Sequence, residues 1–122
     1  MRLAASRPAI LMLAGFMGAS GVVLAAAASH GGDGRLLGSA STMCLAHAPV
    51  LLALYLADGR VRTATVAALV LALGTLLFSA DLLSRHFAQS GLFPMAAPTG
   101  GVLMILGWLL IAISGLFREG RT

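Results

Sequence analysis

Twelve charged residues divide the 122-residue chain into four long uncharged runs. The runs contain 25, 22, 18 and 32 residues and cover positions 8–32, 36–57, 63–80 and 86–117. A helix that crosses the hydrocarbon core of a bilayer needs about 20 apolar residues, within a range of about 17–25. The pattern therefore predicts an all-α, polytopic membrane protein in which residues 1–122 form a single transmembrane domain. We expect four transmembrane helices, at about residues 8–29, 36–57, 63–84 and 96–117.

Short connections join the expected spans, so neighbouring helices should run antiparallel to one another in a bundle. The arginines are divided unequally between the two ends of that bundle. Arg35 and Arg85 belong to one end, and six arginines belong to the other: Arg2, Arg7, Arg60, Arg62, Arg118 and Arg121. Since arginine is enriched on the cytoplasmic side of membrane proteins, we expect both termini to be cytoplasmic.

The first uncharged run has two interpretations. Basic residues before it and an Ala-x-Ala-like pattern at Ala26–Ala28 are typical of a cleavable secretory signal. The apolar stretch from Ala9 to Ala28, however, is 20 residues long, whereas the apolar region of a signal has about 7–15. Gly15, Gly18 and Gly21 also recur at a spacing that suits close packing between helices. We expect this segment to be retained as the first span.

Composition narrows the function classes. Hydrophobic residues make up 59% of the chain and charged residues 10%, and the mean hydropathy is +0.97, which excludes an ordinary soluble domain. The pI near 11.2 does not indicate nucleic-acid binding, because the arginines occur singly or in pairs between apolar runs. The motifs of P-loop, dinucleotide-binding, zinc-protease and serine-hydrolase sites are absent, so we expect no catalytic activity and no cofactor.

His47 is the ionisable residue deepest within an expected span. It lies 11 residues after Leu36, which is about 16 Å along a helix. Ionisable residues inside a membrane are candidates for function. Pro49 interrupts the backbone hydrogen bonding nearby, so we expect this part of the helix to be polar and to face the bundle. Either His47 fixes the packing by a hydrogen bond to another helix, or it carries a proton or a ligand.

Three further residues are candidates. Cys44 precedes His47 by three positions and shares its helix face, which is a spacing that can begin a metal site. His30 and Asp81 fall near the same end of the bundle, but no spacing matches a known metal site, so we expect no bound metal. Asp81 precedes Arg85 by four residues, and we expect these two side chains to form an ion pair that anchors the helix end.

Small residues on the first and fourth spans indicate close helix packing, either within the chain or against a copy or another membrane protein. Besides the lipid bilayer, a homo-oligomer or a membrane-protein partner is therefore the expected kind of contact. Trp108 lies in the middle of the fourth span, and its N–H should have an internal partner; we expect it to be a core anchor.

Five short motifs follow one another along the chain: His30-Gly31, His47-Ala48, Leu77-Phe78-Ser79, Pro98-Thr99-Gly100-Gly101 and Gly107-Trp108. In this order they resemble the YgdD-like family of small bacterial inner-membrane proteins, a domain-of-unknown-function family whose eukaryotic relatives are called transmembrane protein 256. The resemblance covers about residues 14–117. It implies four spans, a retained first helix and a place in the bacterial inner membrane, and it implies no activity.

The chain departs from that family's pattern at three places. Ala28-Ser29 precedes His30-Gly31 where the family has Gly-Ala, and Asp81 stands in a segment where the family has Ser-Gly-Ser-Leu-Tyr. The family's Thr-Pro before the last glycines is reversed here to Pro98-Thr99.

Three classes of function are open to this chain. The first is a structural or accessory membrane protein, which the small-residue faces and the absence of paired charges deep in a span favour. The second is a small-solute, ion-coupled or proton-coupled transporter or channel that depends on His47. An intramembrane enzyme ranks last, because no nucleophile and base form a recognisable pair.

Overall fold

The computed structural model describes residues 7–57 and 59–117, and it contains four helices in that part of the chain. Each of them is long and apolar enough to cross a membrane, so the chain is a multi-pass membrane protein. Their bounds are α1 Arg7–Ser29, α2 Arg35–Leu56, α3 Ala64–Ala88 and α4 Ala96–Ser114. Arg2, Arg118 and Arg121 lie outside the described residues.

Two helix ends differ from the expected spans by more than one residue. α3 continues four residues beyond position 84, to Ala88, and stops where Gln89 adopts a left-handed conformation with φ 60°. Arg85 and His86 lie in its last turn, where the positive charge of Arg85 interacts favourably with the helix dipole. α4 ends at Ser114 instead of 117, because Gly115 and the two residues after it form tight turns back onto the helix end.

The four helices pack in chain order and run antiparallel. α1 packs on α2, α2 on α3 and α3 on α4, and α1 makes a small additional contact with α3. At one end the guanidinium of Arg7 in α1 donates a hydrogen bond to the carbonyl of Tyr55 in α2. At that same end Thr63, beside the start of α3, donates to the carbonyl of Leu110 in α4. These bonds confirm the predicted antiparallel arrangement.

The bundle is open on one side. Among the described residues, no Cα atom of α4 lies within 8 Å of one in α1 or α2. α2 and α3 therefore form the centre, and they bury more of their length than α1 and α4 do. A single hydrophobic core nevertheless joins all four helices, with Met17, Leu51, Leu71 and Met104 among its members.

Glycine allows α3 and α4 to approach closely. A Cβ atom added at Gly100 would lie 2.6 Å from the backbone nitrogen of Phe78, and one added at Gly74 would lie 2.8 Å from the carbonyl oxygen of Gly100. The predicted small-residue face of the fourth span therefore faces α3. By contrast, a Cβ atom at Gly15 or Gly101 would meet no atom within 4 Å.

Candidate functional site

His47 is buried, and both of its ring nitrogens have partners within the chain. Its side chain comes from α2, where Nδ1 lies 2.8 Å from the carbonyl oxygen of Met43, one turn earlier. From α4, the indole Nε1 of Trp108 donates a hydrogen bond to Nε2 at 3.1 Å. The two rings are tilted at 58° with their centroids 5.9 Å apart.

This hydrogen-bond pattern assigns the tautomer of His47. A carbonyl oxygen can only accept a hydrogen bond, so the proton of the neutral ring is on Nδ1 and is donated to Met43. Nε2 then presents its lone pair, which matches the indole N–H of Trp108. The arrangement uses the full hydrogen-bonding capacity of a neutral imidazole.

Trp108 has the internal partner that its position in the span predicted. The expectation that its ring is a core anchor is wrong, because 45% of the residue is exposed. α4 lies at the edge of the helix row, so one side of the indole faces outward while its N–H points inward to His47. The sequence indicated that a partner was needed but not that His47 is that partner.

Cys44 lies three residues before His47, but its side chain contacts a different helix. Its Sγ atom lies 3.5 Å from the hydroxyl oxygen of Ser79 in α3, and both residues are buried. They line a cavity of about 290 Å³ together with Ser20 and Phe16 of α1. His47 meets α4 instead, so the shared helix face does not bring the two side chains to one centre. In the described part of the chain, no three His, Cys, Asp or Glu side chains are grouped closely enough to hold a metal ion.

Asp81 is fully buried and organises the connection between α3 and α4. The Nε of Arg85 donates to its Oδ2 atom at 2.9 Å, which confirms the expected ion pair. Its Oδ1 atom accepts a hydrogen bond at 2.7 Å from the backbone nitrogen of Leu92. A Cβ atom at Gly91 would lie 2.6 Å from Oδ1, so a glycine is needed where the connection passes over the carboxylate. Sequence spacing identified the ion pair but not the bond to Leu92, which is 11 residues away.

His30 lies apart from the other candidates, in the exposed turn between α1 and α2. It lines a cavity of about 530 Å³ together with Asp33, Arg85 and His86. The four candidate residues therefore occupy separate places: His47 at the α2–α4 contact, Cys44 between α2 and α3, Asp81 at the end of α3, and His30 in a surface cavity.

The remaining buried polar side chains also bond within the chain. Ser41 of α2 donates to the carbonyl of Gly21 in α1 at 2.7 Å. Thr75 donates to the carbonyl of Leu71, one turn earlier in α3, at 2.7 Å. With His47, Ser79 and Asp81, these make five buried polar residues in the described segments, and each has a partner.

Comparison with known proteins gives one result. The family model described as "Protein of unknown function (DUF423)" matches residues 17–101, which is more than half of the chain. Neither a search of curated proteins nor a search of solved structures produced a match. The matched region begins within α1 and ends within α4, so it includes His30, Cys44, His47 and Asp81. The chain therefore belongs to the DUF423 family of proteins of unknown function.

Proposed function

We propose that this protein is an accessory protein of the bacterial inner membrane, without catalytic activity, that acts by packing against a membrane partner. The observation that carries the proposal is the hydrogen bonding of the buried polar residues within the chain. All five in the described segments are satisfied by other groups of the same chain. Buried polar networks of this kind hold a helix bundle in one arrangement, and the polar groups of these five residues are engaged within the chain and not by a substrate.

His47 supports this proposal more than it supports transport. A proton carrier needs a ring nitrogen that can accept and release a proton. In His47, however, Nδ1 is engaged by Met43 and Nε2 by Trp108. Protonation at Nε2 would remove the acceptor of the Trp108 N–H and leave that donor without its partner. The geometry therefore favours a link between helices.

The surface on which a partner would pack includes α1. This helix lies at the edge of the row and exposes several large apolar side chains, among them Leu11, Phe16 and Val22. Between α1 and α2 there is an apolar groove of about 470 Å³, lined by Gly15 and Gly18 of α1 and by Pro49 of α2. Small residues on an exposed helix face allow another transmembrane helix to approach closely.

The proposed orientation places both termini in the cytoplasm. In the described segments, Arg7, Arg60 and Arg62 lie at one end of the bundle, and Arg35 and Arg85 lie at the other. The positive-inside rule assigns the first end to the cytoplasm when the arginines near both termini are included.

Site-specific photo-crosslinking in growing cells tests the proposal. A photoreactive residue at position 15, in the α1–α2 groove, should give a discrete adduct with a protein. The same residue at Leu109, which is exposed on α4, is the matched control. A protein adduct from position 15 alone supports packing against a partner on this face. The proposal fails if neither position captures a protein and if purified protein in vesicles carries a proton flux that His47→Leu abolishes without loss of fold.

A further inference from the structure

A groove opens on an exposed side of α2, beside α3. Its wall on α2 is formed by successive turns of one helix face, and the aromatic ring of Phe78 from α3 contributes the rest. The volume is about 450 Å³. We call it the Arg35 groove, and Arg35, Gly38, Ser39, Thr42, Met43 and Phe78 are among the residues that line it.

Among the described residues, α2 and α4 do not pack against each other, and α4 contributes no residue to the lining of the groove. Among described residues their Cα atoms stay more than 8 Å apart, and a side-chain hydrogen bond from Trp108 to His47 joins them. His47 in turn contacts the carbonyl of Met43, which lines the groove one helical turn away. The Trp108 indole therefore lies close to the inner end of the groove.

A cation lies at the other end of the groove. Arg35 is the first residue of α2, and a helix of 22 residues is about 33 Å long, so Arg35 is placed at the level of lipid headgroups. Its guanidinium makes no hydrogen bond or ion pair within the described segments. The neighbouring Asp33 uses its Oδ1 atom to accept from the backbone nitrogen of Arg35. Arg85, at the same end, differs because it is paired with Asp81.

The groove thus combines a headgroup-level cation with a path into the hydrocarbon region. Its walls inside the membrane are apolar at Met43 and Phe78, while Thr42 satisfies its own hydroxyl by donating to the carbonyl of Gly38. A Cβ atom at Gly38 would meet nothing within 4 Å, so the groove is unobstructed there. A complementary ligand has an anionic head and an apolar chain.

We propose that the Arg35 groove binds an anionic phospholipid. Arg35 donates hydrogen bonds to the lipid phosphate in the fork geometry that guanidinium groups favour, and one acyl chain lies along Gly38, Met43 and Phe78. This inference does not depend on the accessory role, because a transporter would bind the same lipid in the same way.

Trp108 provides the measurement, since it is the only tryptophan in the chain. The purified protein is reconstituted in phosphatidylcholine vesicles that contain a fixed fraction of acyl-brominated phosphatidylglycerol or acyl-brominated phosphatidylcholine. Bromine quenches tryptophan fluorescence at short range. We expect the anionic lipid to be preferred over the zwitterionic lipid by about fivefold, which is the electrostatic contribution typical of one arginine near a membrane surface.

Two variants, each with a matched control variant, locate that preference in the groove. Arg35→Gln removes the cation and should reduce the preference to about one, whereas Arg60→Gln removes an equal charge at the opposite end and should leave it unchanged. Gly38→Leu fills the groove without removing charge and should lower quenching by the anionic lipid, whereas Ala19→Leu, at an exposed position on α1, should not. Circular dichroism and gel filtration check that each variant is folded.

Three outcomes overturn the proposal. In the first, the two brominated lipids quench the unchanged protein equally. In the second, Arg60→Gln lowers the preference as much as Arg35→Gln does, which would indicate general enrichment of anionic lipid around a cationic protein. In the third, energy transfer between labelled copies shows self-association that Gly38→Leu abolishes, so that a second copy of the chain occupies the groove.

Discussion

The hydrogen bond between Trp108 and His47 joins two helices whose backbones do not pack against each other. Trp108→Phe removes the N–H and keeps an aromatic ring, and His47→Leu removes the acceptor. Interhelical hydrogen bonds of this type contribute on average about 0.6 kcal/mol in membrane proteins, with a maximum of about 1.7. A double-mutant cycle, measured by unfolding in dodecyl sulfate, should give a coupling free energy in that range. Zero coupling would contradict a link at this position.

Asp81 is expected to control the α3–α4 connection. Asp81→Asn weakens the bond from Arg85 and replaces the carboxylate that Leu92 contacts with a neutral amide. Hydrogen bonds to charged groups contribute about 1.5–3 kcal/mol, so we expect the backbone amide of Leu92 to exchange its hydrogen markedly faster. Hydrogen–deuterium exchange by mass spectrometry measures this. The amides at the centre of α1 serve as the internal control, and faster exchange there would mean a global effect instead.

At the scale of the helices, adjacent glycines at the start of α4 form a matched pair. Gly100→Ala places a Cβ 2.6 Å from the backbone of Phe78, so α3 and α4 must separate, whereas Gly101→Ala enters open space. Overpacking of this kind costs about 1–3 kcal/mol. Alanine at position 101 should be neutral or should stabilise α4 by up to about 1 kcal/mol, because alanine favours helix over glycine. Unfolding in dodecyl sulfate compares the two variants, and equal stabilities would contradict the observed contact.

At the scale of the whole molecule, the arginine distribution is expected to determine orientation. A reporter that is active only in the cytoplasm should give a signal when it is fused to the C-terminus. A variant with four substitutions changes the number of arginines at the two ends of the bundle from six and two to four and four. It combines Arg60→Gln and Arg62→Gln with Gly32→Arg and Ser90→Arg. This variant should insert in both orientations and give an intermediate reporter signal. An external C-terminus in the unchanged protein would overturn the assignment.

Properties that depend on neighbouring positions along the chain could be predicted from the sequence. The number of spans follows from the apolar runs, because the thickness of the bilayer sets the length of a helix that crosses it. The Asp81–Arg85 pair follows from their spacing, since residues four apart lie on the same side of a helix. The expected end of the third span was less accurate, because the helix continues through polar residues that the rule for apolar runs excludes.

Contacts between helices required the tertiary structure. Helical spacing places Cys44 and His47 on one face of α2, but it does not state which helix each of them meets. In the fold, Cys44 meets Ser79 of α3 and His47 meets Trp108 of α4, because α2 lies between α1 and α3 with one flank turned towards α4. The open side of the bundle likewise depends on which helix surfaces contact each other. Hydrophobicity drives each helix into the membrane, but lipid is as apolar as the helix surfaces, so close packing of small residues and polar bonds decide which surfaces meet.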